Sequence, residues 1–162
     1  MKEPLCQLFQ QVIEQSNEKE KTILKQLLEG YMNHIGSDEP YLGKLLGMKK
    51  TVTDSNCEIT IPISEIIHNH LGIVHGGITA TLLDSAMGTI ASHVAPPSHG
   101  AVTSNLNIHY IAPGKGESLT AIAKVIHKGA KTIVVEGEVY LDNRKKIAHS
   151  TGTFFIVKIH EG

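Results

Sequence analysis

The order of apolar and polar residues divides the chain into a helical N-terminal part and a longer part with mostly alternating pattern. Near the N-terminus, apolar residues recur every three or four positions, which predicts two amphipathic helices over roughly 4–15 and 18–34. Each helix has one apolar stripe, so each is expected to pack on the main domain or on a second subunit. We therefore assign residues 1–37 to an N-terminal helical extension and residues 38–162 to the main domain.

The alternating pattern of the main domain predicts six strands. Residues 41–53 are expected to form an irregular first strand, and the second is clear because Cys57, Ile59, Ile61 and Ile63 alternate with other residues. Short turns join the last four strands, which must therefore pair antiparallel. These four are predicted at 101–111, 117–128, 132–141 and 146–158.

Between the second and third strands lies an unusually apolar segment, roughly 75–94, that predicts a helix. A helix that is apolar nearly all round must be wrapped, and a curved antiparallel sheet is the natural partner. The predicted fold class is therefore α+β. The helix contains a single acid, Asp84, about two turns from its start. Asp84 is too deep for a helix cap, and a carboxylate in apolar surroundings is costly, so it is a candidate for chemistry.

Composition mainly excludes functions. The chain has 162 residues with 41% hydrophobic and 19% charged residues, as expected for one globular protein. A net charge of −1 gives no electrostatic footprint for nucleic acid or anionic lipid. No segment reaches the ~18 apolar residues that a membrane span needs. With no signal-peptide pattern and two distant cysteines, we expect a cytoplasmic protein without nucleic-acid or membrane partners.

The polar segment before the apolar helix adds candidate chemistry. Gly76 and Gly77 begin the helix, where free amides and the helix dipole favour developing negative charge. A plain glycine turn explains the same pair equally well. Asn69 is a candidate for orienting water, or simply a turn residue before Gly72. His75 can donate to a substrate or hold the loop.

Three histidines in the same segment raise the question of a metal site. His68, His70 and His75 include a His-x-His spacing, but no nearby carboxylate or cysteine completes a recognisable ligand set. The sequence also lacks a Gly-x-Ser-x-Gly nucleophile motif and a phosphate-binding Gly-x-x-x-x-Gly-Lys loop. We therefore expect neither a metal nor a cofactor.

The combination of Asn69, the triplet His75-Gly76-Gly77 and Asp84, in this order of strands and helix, resembles the hotdog-fold acyl-CoA thioesterases. Within that fold it is most similar to the phenylacetic-acid-degradation branch. The likeness spans roughly residues 40–158 and includes the strand 102–110 that follows the helix.

The resemblance implies hydrolysis of an acyl-CoA thioester, with Asp84 as base or nucleophile and a backbone amide that polarises the thioester carbonyl. It implies that Thr103 positions water, although an outward-facing strand threonine is the plain alternative. It further implies a homodimer, commonly doubled to a tetramer. Asn69, His75 and Gly76 of one subunit would then face Asp84 and Thr103 of the other. The remaining residues assigned to substrate binding are Gly77, Lys128, Lys131 and Thr132. The last three flank a turn, and short lysine-rich turns are usually only solvated.

Two other functions remain open at this point. A hydratase or dehydratase acting on acyl thioesters would need a catalytic histidine paired with an acid, for which His75 and Asp84 are available but less well spaced. A non-catalytic acyl-CoA-binding module has no need for a buried carboxylate such as Asp84. Both alternatives stay open because fold alone does not determine function. The sequence does not indicate which acyl group is bound, because the apolar positions along the helix do not reveal the length of the pocket.

Overall fold

The computed structural model describes residues 2–159, with side chains from residue 4 onward. The chain forms two compact units, Met1–Gly47 and Met48–Gly162. Within the described residues, no helix is both long enough and apolar enough to cross a membrane.

The first unit contains three helices: α1 (Lys2–Gln15), α2 (Glu18–Met32) and α3 (Tyr41–Leu45). The two predicted helices are confirmed. A capping box at Asn17 separates them, because the Asn17 side chain accepts from the Glu20 amide while the Glu20 side chain accepts from the Asn17 amide. This reciprocal pairing satisfies two amides at the start of α2.

The predicted strand over residues 41–53 is wrong in its first part, because residues 41–45 form α3. The reason is tertiary packing. Gly30 lies in α2 without a side chain, and a Cβ there would lie 2.8 Å from the Lys44 carbonyl oxygen. The backbone of α3 therefore lies directly against α2, and the Tyr41 ring stacks on Tyr31 at 5.8 Å between centroids. Local alternation cannot reveal a contact of this kind.

The second unit is a six-stranded antiparallel sheet with one long helix, α4 (Gly76–Val94). The order across the sheet is β1-β2-β4-β5-β6-β3. A short 3-10 turn at Glu65–Ile67 follows the second strand. The strands are β1 (Lys49–Val52), β2 (Asn56–Pro62), β3 (His99–Tyr110), β4 (Ser118–Lys128), β5 (Thr132–Leu141) and β6 (Lys146–Lys158).

The core of this unit lies between α4 and one face of the sheet. The side chains that α4 buries are apolar apart from Thr79, and the sheet meets them with alternate residues of β2, β4, β5 and β6. Gly137 on β5 allows α4 to lie close, since a Cβ there would be 2.8 Å from the Met87 sulfur. The predicted α+β arrangement of an apolar helix against an antiparallel sheet is confirmed.

A β-bulge in β3 changes which residues share a face. Regular alternation would place Val102 with the apolar residues of the strand and Thr103 with the polar ones. Instead the register shifts between Thr103 and Asn105, so that Thr103 pairs with the buried Phe154 and Val102 pairs with the half-exposed Phe155. The extra residue, Ser104, donates its hydroxyl to the Thr153 carbonyl at 3.0 Å. The bulge thus turns Thr103 towards α4.

The two edges of the sheet differ in character. One edge is β1, which has only four residues and begins with Lys49 and Lys50. Short, lysine-rich edges discourage pairing with another chain. The other edge is β3, with twelve residues and no lysine, arginine, aspartate or glutamate. This edge has the length and neutrality needed to pair with a further strand.

Candidate active site

The loop before α4 is a compact turn organised by Asn69. Its backbone N–H donates to the Ile73 carbonyl at 2.8 Å, and its carbonyl accepts from the Gly72 amide at 3.0 Å. Its side-chain Oδ1 accepts from the Leu71 amide at 2.9 Å. Gly72 has a φ of +66°, a conformation that favours glycine. Since backbone amides can bond only to the oxygen of the Asn69 side chain, the Nδ2 group takes no part in these bonds, and within the described residues no partner is recorded for it.

His75 caps the start of α4. Its Nδ1 accepts from the Gly77 amide at 2.9 Å, and its carbonyl accepts from the Ile78 and Thr79 amides at 3.0 and 3.3 Å. Because an amide can only donate, Nδ1 of His75 is unprotonated, and in the neutral ring the proton is on Nε2. Of the two roles that the sequence offered for His75, donating to a substrate or holding the loop, these hydrogen bonds correspond to the second.

Gly76 carries the one amide of this first turn that is left for a ligand. The amides of the next three residues are engaged with His75, and within the described residues no partner is recorded for the Gly76 N–H. The sequence assigned both glycines to the site, but the Gly77 amide is already used by the cap. A helix N-terminus with one unpaired N–H suits an anion or a polarised carbonyl oxygen.

A cavity of about 380 Å³ lies beside this amide. Asn69, Gly76 and Tyr110 line it together with apolar side chains, among them Ile73, Ile111 and Ile147. Tyr110, at the end of β3, donates its hydroxyl to the Gly76 carbonyl at 3.1 Å. Tyr110 falls within the predicted strand 101–111, but nothing in the sequence assigned it to the site. The cavity therefore has a mostly apolar lining with a few polar groups, as small-molecule sites commonly do.

Asp84 is half-buried on α4 and is held by Thr103. The Thr103 hydroxyl donates to Asp84 Oδ1 at 2.7 Å. Within the described residues no hydrogen bond is recorded for Oδ2 of the carboxylate. The structure thus brings together two of the residues that the sequence singled out, and it does so through the bulge in β3.

The two halves of the candidate site lie apart within one chain. Asp84 follows Gly76 by eight residues on the same helix, which separates them by about 12 Å along the helix axis. Their β3 partners, Thr103 and Tyr110, are six ladder positions apart because of the bulge, which separates them by about 20 Å along the strand. A thioester carbonyl at the Gly76 amide is therefore out of reach of Asp84 in the same chain.

The turn between β4 and β5 lies at the Asp84 end of the sheet. Phe155 on β6 pairs with Thr132 on one side and with Val102 on the other, and Val102 precedes Thr103. Thr132 is therefore two strand spacings, of about 4.8 Å each, from β3. The Gly129 amide closes the turn on the Thr132 carbonyl at 2.8 Å. The side chains of Lys128 and Lys131 are exposed. All three residues that the sequence assigned to this turn therefore lie far from the cavity beside Gly76 in the same chain.

A cysteine nucleophile is not available in this unit. Cys57 is fully buried on β2, and burial raises the pKa of its thiol. The thiol therefore stays protonated at neutral pH, whereas the thiolate is the reactive form. Within residues 2–159, no group of three or more histidine, cysteine, aspartate or glutamate side chains is arranged to hold a metal ion.

Comparison with known proteins places these features in a family. The sequence profile of the thioesterase superfamily matches residues 71–148, which include the helix start, Asp84 and Thr103. A Halobacterium salinarum protein, named only provisionally as an esterase, is 34% identical over 116 residues, covering 68% of this chain and 73% of its own length. The medium/long-chain acyl-CoA thioesterase YigI of Escherichia coli is 28% identical over 97 residues, covering 52% of this chain. The chain spans 63% of the length of YigI.

The fold also matches solved structures. The BH2602 protein from Bacillus halodurans, crystallised with CoA, superposes with a TM-score of 0.84 at 40% sequence identity. The match covers 90% of this chain and 98% of BH2602. At this identity and coverage the likeness concerns both fold and sequence.

Proposed function

Because this chain belongs to the thioesterase superfamily and has its hotdog fold, we propose that it hydrolyses an acyl-CoA thioester to a free acid and CoA. The observation that carries the proposal is the Asp84–Thr103 pair. A carboxylate on an otherwise apolar helix is held through one oxygen and keeps the other for a substrate or water. The name of YigI and the CoA bound to BH2602 support the same substrate class.

Asp84 supplies the reactive group in this proposal. As a base, Oδ2 takes a proton from water while the water oxygen attacks the thioester carbonyl carbon. As a nucleophile, Oδ2 attacks the same carbon and forms an acyl-enzyme anhydride that water then hydrolyses. In both routes the C–S bond breaks and CoA leaves as its thiol. Thr103 holds Oδ1 at 2.7 Å, and its hydroxyl oxygen can still accept from the water.

Gly76 supplies the N–H group that stabilises the oxyanion in this proposal. Gly76 lines the cavity at the start of α4, and the carbonyl oxygen of the thioester is proposed to bind at its N–H. Negative charge develops on that oxygen in the tetrahedral intermediate, and the N–H and helix dipole stabilise it. Asn69 lines the same cavity, and its side-chain amide group is proposed to orient the thioester or the water.

A homodimer brings the two halves together. In a twofold dimer with antiparallel α4 helices, an axis near Ala80 would place Gly76 of one copy opposite Asp84 of the other, since Ala80 is midway between them. The same axis would pass midway between Thr103 and Tyr110 on β3, near Leu106. Within one chain, Thr103 contacts Asp84 and Tyr110 contacts Gly76. A single twofold axis can therefore relate both the α4 helices and the β3 strands of the two copies.

The edge of the sheet supports the same dimer. β3 is a long, uncharged edge strand, and pairing it with its copy would join two six-stranded sheets. Each dimer would then contain two complete sites, and doubling to a tetramer would leave the chemistry unchanged. Lys128, Lys131 and Thr132 lie at the Asp84 end of their subunit, and we assign the nucleotide and phosphates of CoA to that turn.

The geometry disfavours the hydratase alternative. That chemistry requires a histidine paired with an acid, whereas Nδ1 of His75 accepts from a backbone amide, only Nε2 is left for an acid, and the recorded partner of Asp84 is Thr103. The acyl-CoA-binding module remains as the second candidate, because a binder could use the same cavity. Turnover distinguishes the two.

A thiol-release assay with purified protein tests the proposal. The panel contains aryl, short-chain, medium-chain and long-chain acyl-CoA thioesters, with free CoA detected by a thiol reagent. We expect saturable thiol release with at least one substrate, at kcat/KM of about 10⁴ M⁻¹s⁻¹ or above. Absence of release across the panel, with acyl-CoA binding still measurable by calorimetry, would reject the enzyme in favour of the binding module.

A further inference from the structure

The peptide unit between Gly76 and Gly77 is held at both of its polar atoms. Its carbonyl oxygen accepts from the Tyr110 hydroxyl at 3.1 Å, and its N–H donates to His75 Nδ1 at 2.9 Å. The two bonds come from different elements, the end of β3 and the residue before α4. A peptide bond is planar, so fixing both ends of it fixes the orientation of the whole unit.

This double attachment matters because the unit lies between two glycines. Glycine populates a wider range of backbone dihedrals than any other residue, so a Gly-Gly helix start is intrinsically loose. The first turn of a helix also lacks the full set of intrahelical hydrogen bonds that stiffens later turns. The Gly76 N–H belongs to the preceding His75–Gly76 unit, so its direction relative to the Gly76–Gly77 unit varies with the two dihedrals of Gly76.

Tyr110 is well placed to supply that stiffness. Its side chain is 57% exposed, so burial of the ring does not account for its position. Ring carbons of Tyr110 lie 3.5 and 3.6 Å from where a Cβ of Gly76 would be, so the ring covers this glycine in van der Waals contact. Tyr110 and Gly76 also line the same cavity.

We propose that Tyr110 is a positioning residue for the oxyanion donor. Its hydroxyl, together with His75 Nδ1, immobilises the Gly76–Gly77 peptide on one side of Gly76, while the Ile78 and Thr79 amides hold the His75 carbonyl on the other. With both flanking peptides held, the Gly76 N–H keeps one direction, in which it donates to the thioester oxygen. Tyr110 acts through the backbone and takes no proton from the substrate. The catalytic part of this inference rests on the proposed thioesterase function, whereas the backbone part stands on the two hydrogen bonds alone.

The variant Tyr110→Phe tests the inference because it keeps the ring and removes only the hydroxyl. Tyr140→Phe is the matched control, since the Tyr140 hydroxyl also donates one hydrogen bond, to Glu138 on the opposite face of the sheet. Protein labelled with ¹⁵N-glycine gives few amide signals, and the exchange of the Gly77 amide with water is measured by NMR. We expect this exchange to be about fivefold faster in Tyr110→Phe and unchanged in Tyr140→Phe.

The kinetic measurement uses the same two variants and the best substrate of the panel. Tyr110→Phe is expected to lower kcat about tenfold with KM changed less than twofold, because the donor acts in the transition state. Tyr140→Phe is expected to keep the wild-type kcat. Unchanged exchange of the Gly77 amide in Tyr110→Phe overturns the inference, as does an unchanged kcat in an active enzyme. If the wild-type protein releases no thiol, the proposed function fails, and amide exchange alone decides the role of Tyr110.

Discussion

Replacement of Asp84 by Asn should lower kcat/KM for acyl-CoA hydrolysis about a thousandfold. Asparagine has the same shape and its Oδ1 can still accept from the Thr103 hydroxyl, so the local packing is preserved. It cannot take a proton or attack a carbonyl carbon, so both proposed routes lose their reactive group. The effect is measured by thiol release at saturating and limiting substrate.

The control for this variant is Asp54→Asn. Asp54 is an exposed aspartate in the turn between β1 and β2, outside the candidate site. It should retain wild-type activity and a similar melting temperature. Acyl-CoA should still bind to Asp84→Asn, since the cavity and the lysine turn are unaltered. Activity within tenfold of wild type in Asp84→Asn would remove Asp84 from the reaction.

Replacement of Gly76 by Pro should lower kcat about a hundredfold or more, because it removes the single N–H assigned to the oxyanion. Proline is well accommodated at the first position of a helix. The preceding residue, His75, has φ −64° and ψ 133°, a conformation that a following proline allows. The variant is therefore expected to fold, and far-ultraviolet circular dichroism together with thermal unfolding checks that it does.

The matched variant is Gly76→Ala, which adds a Cβ at ordinary contact distance from Tyr110 and keeps the N–H. We expect its kcat to fall less than tenfold. If Pro and Ala lower kcat equally in folded proteins, the amide of Gly76 is not the oxyanion donor. The comparison separates the effect of losing the Gly76 N–H from the effect of adding side-chain atoms at this position.

The sequence predicts the sheet and α4 well because their signals are local. Alternation in β2, β4, β5 and β6 and the long apolar run of α4 each require no knowledge of distant residues. The segment 41–45 shows the limit: it is helical because its backbone packs on Gly30 of α2. That contact depends on tertiary structure and has no local periodic signature.

The candidate site likewise contains residues that the sequence reveals and contacts that only the tertiary structure reveals. Asn69, His75, Gly76 and Asp84 form a linear motif and are visible in the sequence. The bulge at Ser104, which turns Thr103 towards Asp84, is invisible because an inserted residue looks like one more step of alternation. Tyr110 was missed because its partner is a backbone carbonyl, which leaves no side-chain pattern.

If one site is assembled from the Gly76 half of one copy and the Asp84 half of another, two inactive variants should restore activity when they form a mixed dimer. Asp84→Asn and Gly76→Pro are each expected to be nearly inactive, and the two are unfolded and refolded together in equal amounts. Random pairing gives half of the dimers as heterodimers, each with one site free of both substitutions. We therefore expect about a quarter of the wild-type kcat, with no recovery when either variant is refolded alone. Heterodimers that form, as shown by differently tagged copies, yet recover no activity would contradict a site shared between subunits.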